Sequence, residues 1–346
     1  MTNVVPKCIV DLTFRNAKNM FIERKIYKLV KDHLSQKQIS VITGMRRTGK
    51  TTLIKKLLDD IASDNKIYID LQRLDNRELF LEKNYENILR ALTEKGLSFS
   101  KRAYIALDEL QLAPEAISVL KYLYDHYKIK FLVTGSSSFY LKNLFSESLS
   151  GRKKIFELYP LDFGEYLTFK DVKYAYSDFL KNDFLNSQHE MLKKHYEEFI
   201  KFGGFPEVVL AKNITQKKDL LVDILSSYIN IDIKALADLK NDRDFYNLIK
   251  LLAGRIGAKL DLAKISRLAG ISRPTVQNYI DLLEKSYLIK RISVFTNRPD
   301  REIVKAQKLY FCDNGLANLL YDLDGGLQFE NAVFNQLSQR GDIKYY

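Results

Sequence analysis

Short apolar runs alternate with amphipathic stretches through the first half of the chain. The runs "ISVIT" (39–43), "KIYIDL" (66–71), "AYIALD" (103–108), "IKFLVTG" (129–135) and "KIFELY" (154–159) read as strands. Between them, "GKTTLIKKLLDDIAS" and "PEAISVLKYLYDHYK" carry helical spacing. That alternation predicts an α/β fold around a mostly parallel sheet. From "EYLTFKDV" to "NDRDFYNL" the β-type runs stop and long amphipathic helical patterns take over, which predicts a helical lid. Two further helical patterns then meet at a Gly-Ile-Ser turn inside "LAKISRLAGISRPTVQNYIDLLEK", and a β-type run, "YLIKRISVF", follows. This is the pattern of a winged helix-turn-helix. The expected organisation is a helical lead-in over 1–37, an α/β core over 38–165, the lid over 166–243, the winged helix-turn-helix over 244–298, and the incomplete start of a C-terminal α/β domain over 299–346.

Composition narrows the partners. The 346 residues are enough for two or three domains, and 46% hydrophobic with 28% charged content is that of a folded globular chain. No apolar stretch approaches the roughly 20 residues of a membrane helix, and the start has no basic region followed by a long apolar segment. The two cysteines, Cys8 and Cys312, are far apart and form no ligand cluster with the four histidines, so a reducing, cytoplasmic setting is expected. A formal charge of +12 favours an anionic partner, nucleic acid before a membrane surface, although a Lys-rich solvated face would give the same number.

The junction "VITGMRRTGKTTLI" is the most specific chemistry. Residues 44–51, Gly-Met-Arg-Arg-Thr-Gly-Lys-Thr, fit G-x-x-x-x-G-K-[ST] between an expected strand and an expected helix. Such a loop curls around phosphate: Gly44 and Gly49 permit the bend, the backbone N–H groups of Met45, Arg46, Arg47 and Thr48 turn inward, and the helix start adds its positive end. Lys50 then reaches the β- and γ-phosphates and Thr51 offers its hydroxyl to Mg²⁺, with Thr52 just beyond. Whether the Arg46 and Arg47 side chains face nucleotide or lid is open at this level.

The second element is "AYIALDELQ", a strand ending in two acids. Asp108 is suited to the Mg²⁺ shell and Glu109 to orienting an attacking water, which favours hydrolysis over transfer to an alcohol. The third is "FLVTGSSS": if its strand lies between the other two, Ser136 or Ser137 can sense a γ-phosphate. Arg152, in "SLSGRKK", is a candidate arginine finger for a neighbouring subunit. In "FIERKIYKLV", Ile22 and Arg24 are candidates to cover the base. On the second expected helix of the helix-turn-helix, Ser272 caps, Pro274 stands near the first turn, and Arg273, Thr275, Gln277 and Asn278 project, with Asp281 and Glu284 diluting the basic face.

The series "VITGMRRTGKTTLI … ALDELQ … LVTGSSS … LSGR … YPLDFGEYL … GGFPEVV", continuing through "LAGISRPTVQNYIDLLEKSYLI", "KLYFCDNGLAN" and "FENAVFNQL", resembles the prokaryotic AAA-type P-loop ATPases of the archaeal-ATPase and STAND-related group. The resemblance covers nearly the whole chain. It implies an ATP- and Mg²⁺-dependent ATPase with the added-strand sheet order, with Lys50 and Thr51 on nucleotide and metal, Asp108 and Glu109 as the acidic pair, and Ser136 or Ser137 as sensor. It also implies a lid element at "GGFP" (203–206), which read from its residues alone is a tight turn fixed by Pro206. Glu330 resembles the first acid of a nuclease-like domain found in many relatives, but the later acids of that set are absent, and one acid supports no nuclease. The expected function is a nucleotide-driven switch acting on a partner, with DNA through 261–295 foremost, a protein partner or second copy also open, and no membrane. The rival is a DNA-binding regulator that senses ATP with little turnover.

Overall fold

The computed structural model describes residues 21–136, 149, 151–173, 185–236, 241–297, 302, 305–339 and 341–346. Strands β1 (Ile39–Thr43), β2 (Lys66–Asp70), β3 (Ala103–Asp108), β4 (Ile129–Gly135) and β5 (Lys153–Glu157) form one sheet in the order β2-β3-β4-β1-β5, with every neighbouring pair parallel. All residues of β1 and β4 are buried, as central strands covered on both faces must be. Helices α1 (Lys25–Asp32) and α2 (Lys50–Asp59) cover one face through Tyr27, Val30, Leu53 and Leu57. On the other face lie α3 (Leu74–Leu81), α4 (Tyr85–Glu94) and α5 (Ala116–His126), which bury Phe80, Ile88, Leu92 and Leu120. Because β4 separates β1 from β3, the loops after all three strands open on the same edge of the sheet, the added-strand arrangement.

The rest of the described chain is mainly helical: α6 (Phe163–Phe169), α7 (Asn186–Phe202), α8 (Pro206–Leu210) and α9 (Ile214–Ser227), then a π-helical turn at Tyr228–Ile233. Helices α10 (Asp242–Ala253), α11 (Leu262–Ala269) and α12 (Arg273–Lys285) follow, and β6 (Ile289–Ile292) pairs antiparallel with β7 (Lys308–Phe311). Helices α13 (Asn314–Leu320) and α14 (Gly325–Ser338) come last. The segment from 299, expected to open a further α/β domain, supplies β7 to this ribbon, and Phe311, Leu316 and Phe334 fill the same core as Phe205, Tyr228, Phe245 and Ile280. A four-residue β6 needs a partner for its backbone groups, and β7 is that partner. Glu330 accepts from the Tyr310 hydroxyl at 2.8 Å and stands beside Lys308.

Two local features hold the layers in register. At "GGFP", Gly203 closes α7 with a positive φ of 76°, Gly204 N–H donates to Asp313 Oδ2 at 2.7 Å, and its carbonyl accepts from Leu161 N–H at 2.7 Å. A Cβ on Gly204 would lie 2.3 Å from the Leu161 carbonyl oxygen, Pro206 opens α8 and Phe205 is fully buried in the core, so turn chemistry, close backbone approach and packing account for the four residues. In the sheet, the fully buried Lys130 donates to the His33 carbonyl at 2.9 Å and to the Gln38 carbonyl. Burial, with the Arg102 charge adding to it, pulls the Lys130 ammonium down to about 7.

Gly204→Ala is therefore expected to cost about 2–4 kcal/mol of unfolding free energy in denaturant titration, since backbone must move to admit the methyl group. For Lys130 the folded pKa of about 7 lies below the ordinary 10.5, so the stability it contributes is present above pH 10.5 and is lost as pH falls through 7. Measured against Lys130→Met, the wild type should gain up to about 5 kcal/mol between those two pH values; equal slopes for the two proteins would contradict this.

Candidate functional site

Strand β1 ends at Thr43, and the chain must reverse from strand to helix within six residues. Gly44, with φ 149°, lets the backbone pass the end of β5, since a Cβ there would sit 2.1 Å from the Leu158 carbonyl oxygen. Arg47 adopts a left-handed φ of 63°, costly for a side-chain-bearing residue, and Gly49 at φ 98° is the N-cap of α2. The buried Thr48 hydroxyl donates to the Met45 carbonyl at 2.9 Å. Lys50 begins α2 and is folded back, donating to the Gly44 and Met45 carbonyls at 3.1 and 2.9 Å. Burial pulls its ammonium below the ordinary lysine value, while Glu109 and Asp232 push the other way. Thr52 is exposed on α2.

Three of the four variable positions of the loop reach the helical region. Met45, 2% exposed, packs into the core containing Phe202, Phe205 and Val208. Arg46 pairs with Asp232 of the π-helical turn, Nε to Oδ2 at 3.1 Å and Nη2 to Oδ1 at 3.3 Å. Burial works against the Arg46 charge, but the Asp232 carboxylate, with Glu109, outweighs it and holds the guanidinium above its ordinary value. Arg47 lies 3.5 Å from Glu207 of α8. The side chains of 45–47 are thus committed to the helical region, which leaves only their backbone to face a nucleotide.

Across the sheet edge, Asp108 closes β3 and is almost wholly buried. Its Oδ2 accepts from the Thr51 hydroxyl at 2.8 Å and the Tyr68 hydroxyl at 2.6 Å, and its Oδ1 accepts from Thr134. Burial and the Asp108 carboxylate raise the Tyr68 phenol. Glu109 follows with a left-handed φ of 59°, its N–H donating to Thr134 Oγ1 at 3.0 Å and its carboxylate accepting from Gln111. Gln111 also donates to Ser136 Oγ at 2.9 Å, and Ser136 donates to Asp232 Oδ1 at 2.8 Å. Lys50, Thr51, Asp108, Glu109 and Ser136 are therefore one contiguous constellation, while Ser137 lies outside the described residues.

Two expected contributors stand elsewhere. Arg152 immediately precedes β5, where its carbonyl accepts from Ile39 N–H at 2.8 Å, so it sits at the opposite end of β1 from the loop. Its guanidinium is paired with Asp125, Nε to Oδ1 at 3.0 Å, and takes no part in the site of its own chain. Arg24, expected beside a base, is instead a buried clamp: it donates to both Glu165 oxygens at 3.0 and 3.1 Å, to the Thr48 carbonyl at 2.9 Å and to the Tyr159 carbonyl at 2.8 Å. Ile22 is half-buried in the lead-in to α1.

Residues 36–167 match the family described as "AAA domain", and 193–326 match one described as "Domain of unknown function (DUF8612)". An uncharacterized protein of Methanocaldococcus jannaschii, MJ1544, is 30% identical over 340 residues, 94% of this chain and 73% of that protein. The chain belongs to the AAA-type P-loop ATPase family. An uncharacterized protein of Haemophilus influenzae is 28% identical over 316 residues, 88% of this chain and 75% of its own length. Among solved structures, the Walker-type ATPase PABY2304 of Pyrococcus abyssi has a TM-score of 0.55 at 15% identity, covering 90% of this chain and 99% of that one, a likeness of fold.

In this AAA-type protein the Thr51 hydroxyl and Asp108 carboxylate meet at 2.8 Å beside the phosphate loop, a hard-oxygen pair of the kind Mg²⁺ prefers. Among the described residues there is no cluster of three or more His, Cys, Asp or Glu suited to a metal. Tyr68, Thr134, Gln111 and Asp232 are site residues that motif reading missed. Thr134 lies inside the run "FLVTGSSS" and Gln111 ends "AYIALDELQ", but nothing about the spacing of Tyr68 and Asp232 marks them.

With three hydroxyls directed at one buried carboxylate, Asp108→Ala should destabilise the nucleotide-free protein by about 1–3 kcal/mol in thermal or denaturant unfolding, and Asp108→Asn by less. An Asp108→Ala protein as stable as wild type would mean that those hydroxyls find other partners.

Proposed function

We propose that the protein binds and hydrolyses ATP with Mg²⁺ and uses nucleotide state as a switch on a partner, with DNA foremost. The observation that carries this reading is the contact of Thr51 with Asp108, next to the Lys50 loop and followed directly by Glu109. When bound, Mg²⁺ would supply positive charge against the phosphate oxygens. Thr51 and Asp108 are the groups to hold it, Tyr68 and Thr134 fix the Asp108 carboxylate, and the loop amides with Lys50 bind and orient the phosphates. Glu109, held through Gln111, is the group to accept a proton from attacking water. A finger at Arg152 would act only across a second copy and after release from Asp125.

The DNA assignment rests on α10, α11 and α12 followed by the β6–β7 ribbon, read as a winged helix. A single antiparallel bridge ties Lys259 to Lys308 at the start of β7. Arg273 and Asn278 on α12 and Lys264 and Arg267 on α11 are exposed. The two acids that dilute this face are engaged by Arg291, at 2.8 Å from Asp281 and in contact with Glu284. Gln277 donates to Asp281 at 2.8 Å and is correspondingly less free. The rival, an ATP-sensing DNA regulator with little turnover, uses the same residues and differs only in the chemistry at Glu109.

Steady-state ATP hydrolysis with and without duplex DNA separates these readings. Lys50→Ala should lose nucleotide binding, and Glu109→Gln should bind but turn over about 100-fold more slowly. DNA should raise the wild-type rate, and Arg273→Ala should weaken that effect and the salt dependence of binding. Full hydrolysis by both site variants would exclude the catalytic assignment, and no DNA binding at low salt would remove the nucleic-acid partner.

A further inference from the structure

Asp232 is a lid residue that bonds to the nucleotide core. Its Oδ1 accepts from Ser136 at 2.8 Å and from Arg46 Nη2 at 3.3 Å, and its Oδ2 accepts from Arg46 Nε at 3.1 Å. It is 6% exposed, 186 positions from Arg46 and 96 from Ser136. The two donors are a guanidinium of the phosphate loop and the hydroxyl at the end of the strand between β1 and β3. An anion at that point is what the distal end of a triphosphate would present, and Lys50, folded onto its own loop carbonyls, lies within the field of the same carboxylate.

We infer that the Asp232 carboxylate is a built-in occupant of the γ-phosphate position, latching the lid over the loop until a nucleoside triphosphate displaces it. This rests on the nucleotide-site reading above and adds the regulation of that site. Three carboxylates, Asp108, Glu109 and Asp232, share the surroundings of Lys50 and Arg46. A γ-phosphate arriving beside Asp232 would set like charges against each other and compete for the same Arg46 and Ser136 donors. A diphosphate ends before that point and leaves the carboxylate in place. Asp232 therefore determines specificity between tri- and diphosphate as well as acting as a latch.

The latch has a mechanical outlet. Asp232 sits on the π-helical turn, a backbone form less regular than the helix it extends and often found where a helix is adapted to a site. Tyr228, on the same turn and fully enclosed, is hydrogen-bonded to Ser286, the residue that caps the C-terminal end of α12. Expulsion of Asp232 moves a turn bonded directly to the helix whose exposed start carries Arg273.

Nucleotide titrations of the full chain, by calorimetry with Mg²⁺ and either the β,γ-imido analogue of ATP or ADP, test this on wild type, Asp232→Asn and Asp232→Ala. A latch that is closed most of the time lowers the apparent triphosphate affinity by the fraction open. Both variants should therefore bind the imido analogue about tenfold more tightly or better, with ADP within about threefold of wild type. Unchanged or weaker triphosphate binding in variants with native circular dichroism would overturn the inference, as would equal tightening of both nucleotides. On the wild type alone, hydrogen–deuterium exchange at residues 228–236 should rise with the imido analogue and not with ADP. Protection there with the triphosphate would mean Asp232 stays engaged beside it, and would also overturn the latch. Failure of the underlying reading has a separate signature: neither nucleotide binds any of the three proteins, and the inference falls with it.

Discussion

The loop at 44–49 is held from two sides, and the rest of the molecule is arranged around that grip. From behind, Arg24 ties the Thr48 carbonyl to the Tyr159 carbonyl just past β5 and to Glu165, an enclosed and bidentate pair that fixes the lead-in to α1 against the loop. From in front, Met45, Arg46 and Arg47 each enter the helical region: Met45 by apolar burial, Arg46 by a buried ion pair and Arg47 by a looser contact at the rim. A phosphate loop needs its glycines and its backbone amides, and leaves its intervening side chains free for other use. Here those side chains are the joint between the two halves of the protein.

Asp108 is the second fixed point. A buried carboxylate is tolerated when donors surround it, and three hydroxyls from β2, β4 and α2 do so. Those donors come from three elements that the sheet order brings to one edge. The position of Asp108 is therefore a property of the sheet as a whole and does not depend on a flexible loop. Glu109 next to it is carried in a left-handed backbone, a conformation a non-glycine residue keeps only when its surroundings impose it. The Thr134 and Gln111 contacts are those surroundings.

From Phe202 to Tyr345 one apolar core joins α9, α10, α11, α12 and the β6–β7 ribbon, while Leu161, Tyr166, Leu192 and Phe199 form a smaller cluster of their own around α6 and α7. Displacement at the Asp232 turn acts on a packed body, and close-packed bodies shift as units. The backbone knot of Gly204 with Leu161 and Asp313 pins that body to the chain leaving the sheet, at a place separate from the Arg46 contact. A unit pinned at one place and held by ions at another can turn about the pin once the ions let go.

Local rules carried the strands, the loop, its Lys-Thr pair and the Asp-Glu strand end, because each needs particular residue types at short spacing: glycine where backbone passes backbone, an apolar run where a strand is covered twice, acids where a strand meets solvent at the site. The placement of β4 between β1 and β3, on which the role of Ser136 was made conditional, is a matter of strand pairing that short-range pattern does not encode. Arg46 and Arg47 had no legible direction, since their partners lie more than 150 positions away and a carboxylate within "YINIDIKA" looks like any polar face of a helix. Arg24 had the right neighbourhood and the wrong task, and Arg152 fell at the far end of the sheet through a register that only pairing decides. Residue types at short spacing suffice to mark a loop of phosphate-binding form; that Asp232 is the partner of Arg46 and Ser136 came only with the fold, because long-range ion pairs are selected by the packing of whole elements and leave no periodic trace in the chain.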